Sequence, residues 1–156
     1  MTYTRFSCLL FLLCCAIGCG GGDRVTGKVT FSDGSPLTVG KVMFTNGSIS
    51  AFGEINEKGE YRMGTIKAGD GVPSGTYQVY IADARVEADT QIKNEDGGMY
   101  NPLVPAVNAK FTSAVQSDLT CSVKGNTVFD ITVEKPPADT ISNLLRGLAT
   151  PPKTFD

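Results

Sequence analysis

The chain has 156 residues, room for one domain with a leader and a tail, and its formal charge of −2 comes without the basic stripe that nucleic-acid binding requires. It holds no histidine, which excludes a Ser-His-Asp or Cys-His nucleophile and any His-ligated metal; the lack of tryptophan removes the commonest sugar-stacking platform. Lys and Arg form no run anywhere along the chain, so the sequence offers no electrostatic membrane patch.

In chain order the first element is a greasy N-terminus. Arg5 is the only charge before an apolar run over residues 6–17 that includes Leu9, Leu10, Phe11, Leu12 and Leu13. About 12 residues are too few to span a bilayer core of ~30 Å as a helix. A positive start, a short apolar segment and small residues at its exit are instead the parts of a secretory signal. The alternative, a buried core helix, fits less well because Gly20, Gly21 and Gly22 follow without a cap or a polar face.

The exit Ala16-Ile17-Gly18-Cys19 resembles the bacterial lipoprotein signal, with Ala16 in place of the usual leucine. Cys14 and Cys15 match it less well, since Leu13 and Cys14 precede them where a small residue is wanted. The resemblance implies a signal peptide over 1–18, acylation of Cys19 and a glycine-rich tether over 19–23. It implies a lipoprotein of the cell envelope, in the outer membrane or facing the periplasm, whose partner through Cys19 is membrane lipid. More than one acyl chain is needed for such an anchor to hold durably. With Cys8, Cys14 and Cys15 in the leader, Cys121 is the one thiol of the folded part, and no internal disulfide can form.

Residues 24–135 follow a period of two broken by turn signals, the pattern of half-buried strands. Val25, Gly27, Val29 and Phe31 share one face of the first strand; Asp33-Gly34-Ser35-Pro36 is a turn. Val42 and Phe44 are out of phase with Leu37 and Val39, which marks Gly40 as a bulge. Asn46-Gly47-Ser48 is a hairpin signal, and Glu57-Lys58-Gly59 turns between two short strands. After a Gly/Pro-dense loop over 67–75, Tyr77, Val79 and Ile81 alternate; later Leu119, Cys121 and Val123, then Phe129, Ile131 and Val133, do the same across a Gly125-Asn126 turn. About seven strands with no helical period among them predict an all-β antiparallel sandwich. Residues 85–116 carry no such pattern and read as a long irregular loop, the place where binding resides on a rigid scaffold.

In the tail, 136–156, Pro136 and Pro137 stop the last strand, and Asp139 or Thr140 can cap a helix. Ile141, Leu144, Leu145 and Leu148 then fall on one helical face, and Pro151-Pro152 ends it. A helix of ~10 residues is unstable alone in water and must dock, on its own domain or on another chain.

The order of these turns and strands resembles the carboxypeptidase regulatory-like, or transthyretin-like, sandwich. The matching pieces are Gly27-x-Val29, Asp33-Gly34-x-Pro36-Leu37, Gly40-x-Val42-x-Phe44, Gly53 with Gly59-x-Tyr61, and Pro73-x-Gly75-x-Tyr77-x-Val79. Ala109-Lys110-Phe111, Ser117-Asp118-Leu119-Thr120 and Asn126-Thr127-Val128-Phe129-Asp130 echo its later segments, with Phe111 where the family has tyrosine. The resemblance covers residues 25–134. It implies a fold and not a reaction: the transthyretin-like branch that hydrolyses a purine-degradation intermediate depends on histidines that are absent here.

Among side chains with chemistry, Asp89, Asn94, Glu95 and Asp96 crowd one stretch, but Asn94-x-Asp96-Gly97 supplies only half of a calcium-loop pattern, and a solvated acidic loop is the better reading. Glu54, Glu57, Glu60 and Asp70 sit at turns, where carboxylates serve solubility and local hydrogen bonds rather than a catalytic pair. Tyr61 and Tyr77 fall on inward phases, which leaves Tyr80 and Tyr100 as contact residues. The expectation is a lipid-anchored, non-catalytic envelope protein without cofactor or metal, whose sandwich is a structural or interaction module. Its alternative is a lipoprotein that captures a carbohydrate or divalent ion through residues 85–116, with Tyr100, Asp89, Glu95 and Asp96 as the contacts to a ligand or to a protein partner.

Overall fold

The computed structural model describes residues 22–149. The expected signal peptide, Cys19 as the expected acylation site and the expected stop at Pro151-Pro152 lie outside the described residues. Period-two alternation produces two facing sheets. In one, β1 (Val25–Phe31) pairs antiparallel with β4 (Glu60–Arg62) on one side and parallel with β11 (Thr127–Val128) and β12 (Ile131–Val133) on the other. The second sheet has the order β10 (Thr120–Val123), β5 (Gly75–Ala82), β2 (Lys41–Thr45), β3 (Ser50–Glu54), antiparallel throughout. One register runs from β11 into β12, so the two form a single interrupted strand and the sandwich has seven. Its parallel partnership with β1 joins the first and last strands, separated by the whole chain and free of any hairpin constraint on direction.

The core lies between the sheets. Val25, Val29 and Ile131 project from the first; Val42, Phe44, Val79 and Ile81 project from the second. The Phe44 ring stacks tilted on Tyr77 at 5.9 Å and meets Phe129 edge-on at 6.1 Å. At one edge the sheets are joined where Phe52 and Gly64 exchange backbone hydrogen bonds, each of 2.9 Å. The predicted turns form as their chemistry dictates: the Asn46 carboxamide oxygen accepts the Ser48 and Ile49 N–H groups, and that of Asn56 accepts those of Lys58 and Glu60. Gly40 differs from expectation. With φ at 99° it bends the chain into β2, whose register against β3 continues without an extra residue, so it marks an entry and not a bulge.

Within residues 85–116, the stretch 85–105 is not irregular. β6 (Arg85–Glu87) pairs with β9 (Leu103–Pro105), and β7 (Ile92–Lys93) with β8 (Met99–Tyr100), all antiparallel. Glu87 faces Leu103 and Ile92 faces Tyr100, so residues 88–91 stand against only 101–102 and the hairpin kinks there. Side chains close the kink: Asn101 Nδ2 donates to the Ala88 carbonyl at 2.7 Å, and Gln91 Nε2 donates to Asn101 Oδ1 at 3.2 Å. Strands of two or three residues are too short to show a period, which is why the pattern hid them.

The tail forms α1 (Ala138–Ala149), which lies along β7 and β9 of its own domain. Ile141, Leu144 and Leu145 are half-buried there. Asp139 is inside the first turn and not the cap, because the Pro137 carbonyl already accepts the Thr140 N–H at 3.1 Å. Proline is pre-organised for a helix start, and an acidic residue in the first turn suits the helix dipole. Among the described residues no helix is long and apolar enough to cross a membrane.

Candidate interaction surface

β1 defines an axis with two chemically different ends, separated by its seven residues or roughly 20 Å. At the Val25 end the chain enters the sandwich beside Val72 and Ser74. At the Phe31 end lie the kinked hairpin and α1, with Phe31, Val86, Val104 and Ile141 bordering one groove of about 400 Å³. The entry of the chain and the hairpin–helix platform are therefore at opposite ends.

The platform carries both buried and exposed apolar side chains. Ala88, Ile92 and Val104 are buried, while Met99 is 58% exposed, Leu103 56%, Leu148 49% and Tyr100 42%. With Val86 at 39%, five large apolar side chains are exposed on one hairpin and the helix beside it, and Met99 and Tyr100, successive on β8, point to opposite faces of it. Tyr100 is thus displayed on β8. Glu95 and Asp96 occupy the β7–β8 turn, where the Asn94 N–H donates to the Gly98 carbonyl at 2.8 Å, and Asp89 sits in the kink between β6 and β7. Glu95 and Asp96 are exposed together in that turn and Asp89 is exposed apart from them in the kink; among the described residues no group of three His, Cys, Asp or Glu is placed to hold a metal ion. The sequence missed Met99, Leu103 and Leu148 as surface residues, because an apolar side chain near a turn gives no sign of facing outward.

Elsewhere several titratable side chains have structural roles. Tyr61 is buried, its hydroxyl donates to the Phe129 carbonyl, and desolvation pushes its phenol far above the ordinary value. Tyr77 donates to the Pro73 carbonyl at 2.8 Å, and burial raises its phenol too. Tyr80 is half-buried. Cys121 is buried as its phase predicts, and desolvation raises its thiol. Glu54 and Glu60 border a shallow groove of about 570 Å³ with Lys28, Arg62 and Asp130, and Glu60 accepts from the Asn56 carboxamide at 3.1 Å. Glu57 lies in the neighbouring turn, and Asp70 is turned into its own loop. The four carboxylates singled out in the sequence are not gathered into one cleft.

No protein-family model matches the chain, and no curated protein does. Among solved structures the chain is similar to a DUF3823 family protein from Bacteroides ovatus, at 17% identity and a TM-score of 0.39, covering 73% of this chain and 45% of that one. It is also similar to BcpA, the major pilin subunit of Bacillus cereus, at 13% identity and a TM-score of 0.41, covering 72% of this chain and 30% of that one. The chain spans less than half the length of each.

Proposed function

We propose that this chain is a lipid-anchored, non-catalytic protein of the cell envelope whose β-sandwich presents an interaction platform away from its anchor. The single observation behind this reading is the opposition of the two ends. The chain leaves the Ala16-Ile17-Gly18-Cys19 exit and enters the sandwich at one end, and the exposed Met99, Tyr100, Leu103 and Leu148 occupy the other. An anchor that holds one end of a rigid domain to a membrane directs the other into the surrounding space. The motif order that resembles the carboxypeptidase regulatory-like sandwich supports the same reading, since that resemblance implies a scaffold and no reaction.

Replacing Cys19 with Ser tests the anchor. The variant is expected to leave the membrane fraction and appear as soluble protein with its leader still attached or cut elsewhere. Full retention in the membrane overturns the reading.

A further inference from the structure

The chain is clamped where it enters the fold. Asp23 and Val72 exchange backbone hydrogen bonds of 2.7 and 2.9 Å, and the Ser74 hydroxyl donates to the Asp23 carboxylate. Gly22 fits so closely over this bridge that a Cβ there would stand 2.5 Å from the Val72 nitrogen. The path is therefore set from Gly22 onward, and only Gly20 and Gly21 separate it from Cys19. Three Cα–Cα steps reach at most about 11 Å.

The same end of the sandwich carries an unusual loop. Gly64 and Gly71 are bridged, and between them the Asp70 carboxylate accepts the N–H groups of Thr65 at 2.7 Å, Ile66 at 3.1 Å and Lys67 at 3.2 Å. This collar holds a short loop in shape and leaves Ile66 87% exposed at its crest. Four exposed basic residues surround the entry point: Arg24 beside the clamp, Arg62 opposite Thr26, Lys67 on the loop, and Lys124 in the turn before β11. None of the four forms a salt bridge with another described residue. Of the acidic groups near this end, Asp23 and Asp70 are occupied by the hydrogen bonds just described, while Glu54, Glu60 and Asp130 border the groove on the far side of Arg62.

We propose that this end is a membrane-contacting face, with Ile66 set into the lipid interface and Arg24, Arg62, Lys67 and Lys124 against anionic headgroups. The proposal rests on acylation of Cys19, which would hold this face within about 11 Å of the bilayer. That distance is comparable to the Debye length of about 8 Å at physiological salt, so surface potential acts on these side chains. A rigid loop with one exposed aliphatic crest and a basic rim is the chemistry that a lipid interface accepts. The lipoprotein would then stand on its membrane with a fixed polarity, its hairpin–helix platform outward, instead of swinging on a tether.

The absence of tryptophan supplies the probe. Ile66→Trp, purified in its acylated form, is reconstituted in vesicles containing phosphatidylglycerol and brominated lipid, beside Leu103→Trp at the far end. The Ile66→Trp fluorescence is expected to shift blue and fall by about half, as for an indole seated 5–10 Å into the interface, while Leu103→Trp is unaffected. The pair Lys67→Glu and Lys124→Glu, added to Ile66→Trp, should weaken that quenching. If the protein is vesicle-bound through Cys19 but Ile66→Trp is unquenched, the membrane face is overturned and the anchor stands. If the Cys19→Ser form of the same protein binds the vesicles equally well and its Ile66→Trp is unquenched, the anchor and this proposal fall together.

Discussion

At the scale of single residues, the parallel seam between the first and last strands has its tightest contact at Phe129. Phe129 turns its carbonyl into the space where a Cβ of Gly27 would be, 2.0 Å away, and the Tyr61 hydroxyl donates to it. Lys28 N–H then bonds the Asp130 carboxylate at 2.8 Å in place of a backbone acceptor, which is why β11 and β12 are separate. Tyr61→Phe leaves that carbonyl without its donor and should cost about 1–3 kcal/mol, read from the denaturant midpoint. Gly27→Ala should destabilise by at least as much, because backbone, not a flexible side chain, fills the site. A second residue-scale effect is electrostatic. The Ser35 hydroxyl, then the Ser35 N–H and Lys135, hold the Asp33 carboxyl down to about 2. A depressed carboxylate stabilises the fold above its unfolded pKa and loses that contribution as pH falls through its folded one. Acid unfolding should therefore draw on Asp33 between the ordinary carboxylate range and about pH 2, and Asp33→Asn should flatten the stability profile in that window.

At the scale of elements, the hairpin and α1 depend on each other. A two-stranded ribbon is marginal in water, and so is a helix of 12 residues. Packed together they bury Ile92 and Val104 and half-bury Ile141, Leu144 and Leu145. Read as an irregular loop, residues 88–101 could be deleted with the sandwich still folded. The structure keeps the sandwich strands outside this stretch but adds β7 and β8 within it, so the deletion also strips α1 of β7. Truncation after Lys135 should leave the sandwich folded but cost about 2–4 kcal/mol from the partly covered aliphatic face. Hydrogen exchange over residues 88–104 should rise with it; unchanged protection there would mean that the helix does not hold the hairpin.

At the scale of the whole molecule, the fold separates an entry end from a platform end, so substitutions at the two should have separable effects. Tyr100→Ala with Leu103→Ser touches exposed side chains and should leave stability within about 0.5 kcal/mol. The same change should weaken an envelope partner that docks on the platform by about 2 kcal/mol or more, measured with the purified pair. Binding that survives the change would move the contact elsewhere on the surface. Cys121 is the internal control for intactness: its buried, raised thiol should resist labelling in native protein and react once the sandwich is unfolded by urea.

The alternation of Val25 with Val29, of Tyr77 with Val79 and Ile81, and of Cys121 with Val123 determined by itself that the chain is a sandwich and which side chains face inward. Those assignments rest on a period that a strand of four or more residues can display, and on turn residues whose chemistry is local. The amphipathic spacing of Ile141, Leu144, Leu145 and Leu148 likewise announced a helix. What covers that helix was beyond the sequence, because β7 and β9 are too short to carry a period and lie far before it along the chain. The direction of β1 against β12 was equally hidden, since no hairpin links them. The basic face is the clearest case. Arg24, Arg62, Lys67 and Lys124 are scattered through the sequence and make no cluster in it, and only the pairing of β1 with β4 and β11 brings them to the end where the chain enters. Patterns are read along a chain, but a surface is assembled across it.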